Sequence, residues 1–275
     1  MTIVWAIFLA IIGAACGSFV GALTYRLKKG GKAWREFWLM KGKYSRSVCE
    51  KCGHQLGVPD LIPIVSWLAL RGKCRYCHAK IGGSALWLEI GVGAAFVMSY
   101  LLWPADWGIL AISKFVVWLV AIILMAALLV YDARWRTLPN KLMWPLIGVA
   151  VIFAILSINY ANIWGSILAI LLALIPVFGV YLLLYAVSRG TWVGLGDVKF
   201  GLVVALLLAD WRLALAVLAG ANVLGSLFVL PQLITKRLHA NSQIAFGPWL
   251  IVATFLAFLF AQPILNFIAK YILWS

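Results

Sequence analysis

The chain has 275 residues, of which 65% are apolar and only 11% charged, where a soluble domain carries roughly a quarter. With a mean hydropathy of +1.04, that balance excludes a water-soluble domain and marks an integral membrane protein whose standing partner is the lipid bilayer. The net charge of +15 would suit a nucleic-acid binder, but the cations are distributed as topology signals, and no nucleic-acid partner is expected.

The first apolar run, "MTIVWAIFLAIIGAACGSFVGALTY", is too long for the core of a cleaved signal and reads as a retained helix over 1–25. Windows of about 20 apolar residues predict further helices over 85–103, 109–131, 142–160, 163–187, 198–210, 213–235 and 245–271. The span over 198–210 is short, so its ends should dip into the membrane. The expected fold is an all-α polytopic membrane protein of about eight transmembrane helices, with a small polar insert between helices 1 and 2.

The cations orient it. Segment 26–84 holds thirteen Lys and Arg against three acids. Placing that segment in the cytoplasm puts the loops over 132–141, 188–199 and 236–243 there too. Twenty of twenty-three cations then lie inside, and only Lys114, Arg212 and Lys270 lie outside. Both termini face out of the cytoplasm.

The insert contains "CEKC" (Cys49, Cys52) and "CRYC" (Cys74, Cys77), separated by twenty-one residues. Four thiolates on two tight turns can surround one tetrahedral Zn²⁺, and in a reducing cytoplasm a structural metal is favoured over disulfides. So small a polar segment has little core, and a metal would supply folding free energy. His54 and His78 follow the two knuckles and are read as solvated or supporting residues. Cys16, in the first span, is read as a small apolar packer. The stretch between the knuckles, "PDLIPIVSWLALRGK", is apolar enough to lie against a membrane surface or helices.

There are eight acids. Glu36, Glu50 and Asp60 sit in the basic insert, and Asp106 and Asp210 at outer ends, where local pairing accounts for them. Glu89 lies a few residues into the second span and is a candidate for cofactor or substrate-amine binding. Asp132 ends the third span and Asp197, within "GLGDVK", opens the sixth, both at the cytoplasmic boundary. Taken singly, Asp132 can pair with Arg134 or Arg136, and Asp197 can be a first-turn acid favoured by the helix dipole. Together, at one depth, two aspartates that share a proton can activate water and protonate a leaving amine. Gly194 and Gly196 would let a backbone approach closely there. Lys199 is read either as a snorkelling topology residue or as part of the same loop.

These segments resemble the prepilin peptidases, also called type IV leader peptidases, which are GxGD intramembrane-type aspartic endopeptidases. "GLGDVKF" is similar to their GxGD motif, "DARWRTLPN" to their first-aspartate motif, and the double-knuckle block to the insert of the bifunctional members. "CGSFVGALTYRL" resembles their first-span signature and "FGPWL" (Phe246 to Leu250) a late motif. The resemblance implies cleavage of the basic leader of type IV prepilins or pseudopilins at the cytoplasmic face. It also implies N-methylation of the new terminus with S-adenosylmethionine. By motif position it implies a catalytic pair Asp132 and Asp197, an active-site loop with Gly194, Gly196 and Lys199, and zinc on Cys49, Cys52, Cys74 and Cys77. The expected division is a first helix over 1–25, a zinc-binding, methyltransferase-type domain over 26–84 and a peptidase core over 85–275. The chain departs from the family pattern at Gly21, where an Asn is usual, at Lys28, where a Pro often stands, and before "FGPWL", where a Pro is missing.

Two readings of other classes use the same residues. One is a proton-coupled transporter with Asp132 and Asp197 as a relay. The other is a membrane scaffold whose zinc module docks a partner. Relay acids usually sit near the bilayer midplane between repeated halves, whereas these share one boundary and the chain shows no repeat.

Overall fold

The computed structural model describes residues 2–39, 41–42, 46–103, 107–235 and 245–271. Asp106 and the loop over 236–243 therefore lie outside the described residues. The regular structure is helical, and the chain separates into two compact units, Met1–Leu101 and Leu102–Ser275.

In the first unit, α1 (Thr2–Lys29) leads through α2 (Gly31–Trp38) and the short α3 (Val65–Ala69) to α4 (Ser84–Leu101). The main contact is α1 against α4, and glycines make it close. A methyl on Gly13 would stand 2.8 Å from the Gly93 Cα, and one on Gly17 would stand 2.7 Å from the Glu89 Cα. Two backbones at that separation gain the dispersion contacts that drive helix association in lipid, where no hydrophobic effect helps.

The second unit begins with α5 (Ile109–Trp135) and α6 (Asn140–Ser157). Next come α7 (Ile163–Ala173), a π-helical turn over Ile175–Gly179 and α8 (Val180–Ser188), which together form one long apolar span. After it stand α9 (Leu195–Leu208), α10 (Trp211–Ile234), α11 (Gly247–Leu259) and α12 (Ala261–Tyr271). Helix α6 packs on α5 and α9, and α11 packs on α5 and α10. Their shared core holds the fully buried Trp118, Met125, Leu128, Met143, Leu146, Val203, Val204 and Leu250.

Every predicted span is helical. Among the described residues, six helical segments are long and apolar enough to cross a membrane, and α11 with α12 makes a seventh if that bent pair is one span; the expected eight included α9, which is too short to count. Helix α9, at 14 residues, rises only about 21 Å, the shortness the sequence led us to expect. The stretch over 245–271 is not straight, because α11 and α12 meet at 86°. Pro263 lies just past the break, where it lacks an amide donor and, in a helix continued straight through, its ring would collide with the carbonyl one turn earlier.

Candidate active site and metal centre

Asp132 stands in the last turn of α5, and its own carbonyl accepts from the Arg136 N–H at 2.7 Å. Arg136 closes the helix in the left-handed region, φ 54. The Asp132 side chain is 5% exposed. Its Oδ2 accepts a hydrogen bond from the Gly247 backbone N–H at 3.1 Å. Gly247 is the first residue of α11, so the carboxylate meets the positive end of that helix. Its partner is thus an amide 115 positions away, rather than the neighbouring arginines considered from sequence.

Asp197 occupies the first turn of α9, with its N–H bonded to the Gly194 carbonyl at 3.1 Å. A methyl on Gly194 would lie 3.6 Å from the Asp197 Oδ2, and one on Gly196 would lie 2.7 Å from the Leu138 Cβ. Leu138 also sits 3.4 Å from where a methyl on Gly247 would be. One leucine therefore wedges between the turn that carries Asp197 and the helix start that holds Asp132. The two carboxylates interact electrostatically. Lys199 points elsewhere, as an i, i+2 neighbour must. Its Nζ donates to the Asn140 Oδ1 at 2.8 Å and lies 5.4 Å from the Trp144 ring centroid, tying α9 to α6.

Three residues around this pair escaped the sequence reading. Gly247 was visible only inside a motif resemblance, Leu138 only as part of "LPN", and Tyr181 left no signal at all. Tyr181 follows the π-helical turn and lies in electrostatic contact with Asp197.

In the other unit, each C-x-x-C pair forms a knuckle of the same design. The Cys49 N–H bonds the His54 carbonyl and the Gly53 N–H bonds the Cys49 carbonyl, both at 2.9 Å. The Cys74 N–H bonds the Ala79 carbonyl at 2.9 Å and the His78 N–H bonds the Cys74 carbonyl at 3.0 Å. Gly53 and His78 are the corresponding left-handed positions, φ 69 and φ 55. His78 is therefore a turn residue, and His54 stacks on Tyr76 with centroids 3.7 Å apart. Asp60, between the knuckles, accepts from the Arg75 Nε at 2.6 Å and from the Gly57 N–H at 3.1 Å.

The four cysteine sulfurs all lie within 4.8 Å of one another, with Cys49 and Cys77 at 3.9 Å. A zinc–sulfur bond of about 2.3 Å puts tetrahedral sulfurs about 3.8 Å apart. The donor set fits a closed Zn²⁺ site. Desolvation alone would raise the Cys49 thiol, but the backbone N–H groups of Cys52 and Lys51 and neighbouring thiols bring it down to about 7. The Ala79 N–H lowers Cys77, yet desolvation and hydrogen bonds to Cys52, Cys74 and Cys49 push it up to about 11. One acidic and one proton-retaining thiol among four is the behaviour of sulfurs gathered tightly enough to share protons.

Glu89 is 8% exposed, and its Oε2 accepts from the Ile64 N–H at 2.7 Å. It is held by the insert's own backbone at the start of α3.

Comparison with known proteins adds the remaining evidence. The Bacterial Peptidase A24 N-terminal domain family matches residues 11–103, and the Type IV leader peptidase family matches residues 119–230. The prepilin leader peptidase/N-methyltransferase of Dichelobacter nodosus is 26% identical, over 94% of this chain and 92% of its own length. The protein of the same name from Stutzerimonas stutzeri is 26% identical, over 92% of this chain and 90% of its own. That of Aeromonas salmonicida (strain A449) is 26% identical, over 80% of this chain and 72% of its own. No solved structure matches. The two matches lie in order along most of a membrane chain with paired aspartates and a four-cysteine cluster, and the chain belongs to the type IV leader peptidase family.

Proposed function

We propose that this chain cleaves the basic leader from type IV prepilins or pseudopilins at the cytoplasmic face of the inner membrane, using Asp132 and Asp197. The observation that carries the reading is the convergence of these two acids, from the end of α5 and the start of α9, across Leu138. Two carboxylates that interact electrostatically, one buried and the other half-buried, favour sharing one proton. The ionised acid takes a proton from water as the water oxygen bonds to the amide carbon. The protonated acid gives its proton to the carbonyl oxygen. As the C–N bond breaks, the first acid returns its proton to the leaving amine and the second recovers one from the diol. Gly194 carries no side chain beside the Asp197 carboxylate, which leaves room for an extended peptide, while Gly196 makes room for Leu138. Lys199, fixed to Asn140, supports the loop rather than the chemistry.

The domain reading places the first helix over 1–25, the zinc-binding, methyltransferase-type insert over 26–84 and the peptidase core over 85–275. Cys49, Cys52, Cys74 and Cys77 would hold a structural Zn²⁺ that fixes the insert. The names of the relatives support a second activity, N-methylation of the newly exposed amine. S-adenosylmethionine, when bound, supplies an electrophilic methyl group for that amine. Glu89 supports this activity by holding the insert in place.

The test is to incubate purified protein with a synthetic prepilin segment spanning the leader junction, with and without S-adenosylmethionine, and weigh the products. Cleavage lost in both Asp132→Ala and Asp197→Ala, with the parent's product gaining about 14 Da (a methyl group replacing one hydrogen) only when the methyl donor is present, bears out the full reading. Cleavage that persists in both variants ends it.

A further inference from the structure

Among the described residues, three buried side-chain polar atoms have no hydrogen-bond partner: Trp67 Nε1, Trp103 Nε1 and Tyr181 Oη. A buried hydroxyl without a partner is costly and calls for an explanation. The Tyr181 phenol interacts electrostatically with one of the paired acids, Asp197, and the residue is 5% exposed.

Its position is built by an irregular stretch of helix. Pro176 has no N–H to return to the preceding turn, and the helix widens there: the Gly179 N–H reaches the Leu174 carbonyl at 2.8 Å, an i to i−5 bond. Wide turns of this kind inside helices recur at functional sites. The widened backbone lies directly on α9, where a methyl on Gly201 would stand 2.7 Å from the Phe178 Cα and N. Gly201 is one turn past Asp197 and shares its face of α9. Tyr181 follows three residues after Phe178, and its ring meets Phe246 edge to face, centroids 6.0 Å apart. Phe246 precedes Gly247, whose N–H holds Asp132. The ring therefore packs against the residue that precedes the helix start gripping Asp132, in a stretch of helix that lies on the Asp197 face of α9.

We propose that Tyr181 is a third catalytic residue, whose hydroxyl donates a hydrogen bond to the oxygen that gains charge as water adds to the scissile amide. This rests on Asp132 and Asp197 being the proteolytic pair. The phenol keeps its own proton throughout, and the water and carboxyl protons move as described above. An unpaired, buried donor is ready for charge that appears only in the transition state, and it needs no rearrangement to meet it. The Tyr181 hydroxyl, unpaired among the described residues, is thereby left to meet the substrate oxygen.

The test is Tyr181→Phe, which removes one oxygen and keeps the ring against Phe246, assayed on the prepilin segment per folded molecule. The expected result is a kcat lowered about 10²-fold, the usual loss for one such donor, with KM within about twofold and thermal stability unchanged or raised. A kcat within about threefold of the parent, a change confined to KM, or a loss explained by a smaller folded fraction would overturn the proposal. Asp132→Ala and Asp197→Ala run alongside. If they stay active, the aspartic reading has failed. If they are dead while Tyr181→Phe cleaves normally, only the role of Tyr181 has failed.

Discussion

Gly247 and Asp132 are joined by a hydrogen bond of 3.1 Å across 115 positions of sequence, and the contact leaves no room for a side chain. A methyl on Gly247 would stand 2.7 Å from the Asp132 Oδ2. That oxygen is a terminal atom and can rotate away, but only by giving up the amide that orients it. Gly247→Ala should therefore fold and still lose leader cleavage by about 10²-fold, the scale expected when a catalytic group is displaced by an ångström. Folded yield by size-exclusion and kcat on the prepilin segment check it, and a fully active alanine variant would show that the Gly247 amide does not orient the acid.

The π-helical turn leads to a prediction about stability. A methyl on Gly201 would meet the backbone of Phe178 at 2.7 Å, and backbone cannot yield as a side-chain tip can. Gly201→Ala should destabilise the second unit by about 1–3 kcal/mol, the usual cost of overpacking a core. Gly148→Ala, where the added methyl meets nothing within 4 Å, should cost no stability. Thermal unfolding in one detergent compares them, and equal midpoints would mean that the turn does not pack on α9 as described.

How far these features could be read in advance depends on how local each one is. Two C-x-x-C pairs carry their geometry in their spacing, because each knuckle is closed by hydrogen bonds within a few residues. Asp132 and Asp197 stood out because a charge at the edge of an apolar run is costly and needs a reason. Their common surroundings did not stand out. Leu138, Gly196 and Gly247 meet only after α5, α6, α9 and α11 have packed, and no periodicity encodes that meeting. Tyr181 resembles any tyrosine in a span until the wide turn places it. The 86° break between α11 and α12 was hidden inside one predicted span, with Gln262 and Pro263 as its local marks.

The four thiols make a prediction about metal and pH. Metal can bind only as the thiols lose their protons, so affinity must fall as pH falls. Cys77, held up to about 11, keeps a proton that the metal has to displace throughout the neutral range. Cys49, near 7, adds to that competition below its own value. The purified protein should carry about one zinc per chain by elemental analysis, and a chelator should strip it several-fold faster at pH 6 than at pH 8. Cys74→Ser should lower the zinc content and make the insert more sensitive to protease. Undiminished zinc in that variant would remove Cys74 from the ligand set.

Glu89 gives the last prediction, because its carboxylate braces a strained turn. Ile64 has φ 62 and ψ −52, and the Val65 N–H bonds the Pro63 carbonyl two residues back. That is the γ-turn of the rare, strained hand, at a β-branched residue that seldom tolerates it. Glu89 accepts the N–H at the centre of this turn at 2.7 Å. Such strain costs on the order of 1–3 kcal/mol and persists only where neighbours hold it. Glu89→Gln keeps an acceptor oxygen and should preserve the turn, while Glu89→Ala should release it and loosen the insert. Protease sensitivity between residues 57 and 72 measures the turn, and the methyl mass on the cleaved product measures the second activity. If bracing is the whole role of Glu89, methyl transfer follows the turn: kept in the glutamine variant and lost in the alanine variant. Loss of methyl transfer in both variants, with the turn intact in the first, would instead assign the carboxylate charge to the transferase chemistry itself.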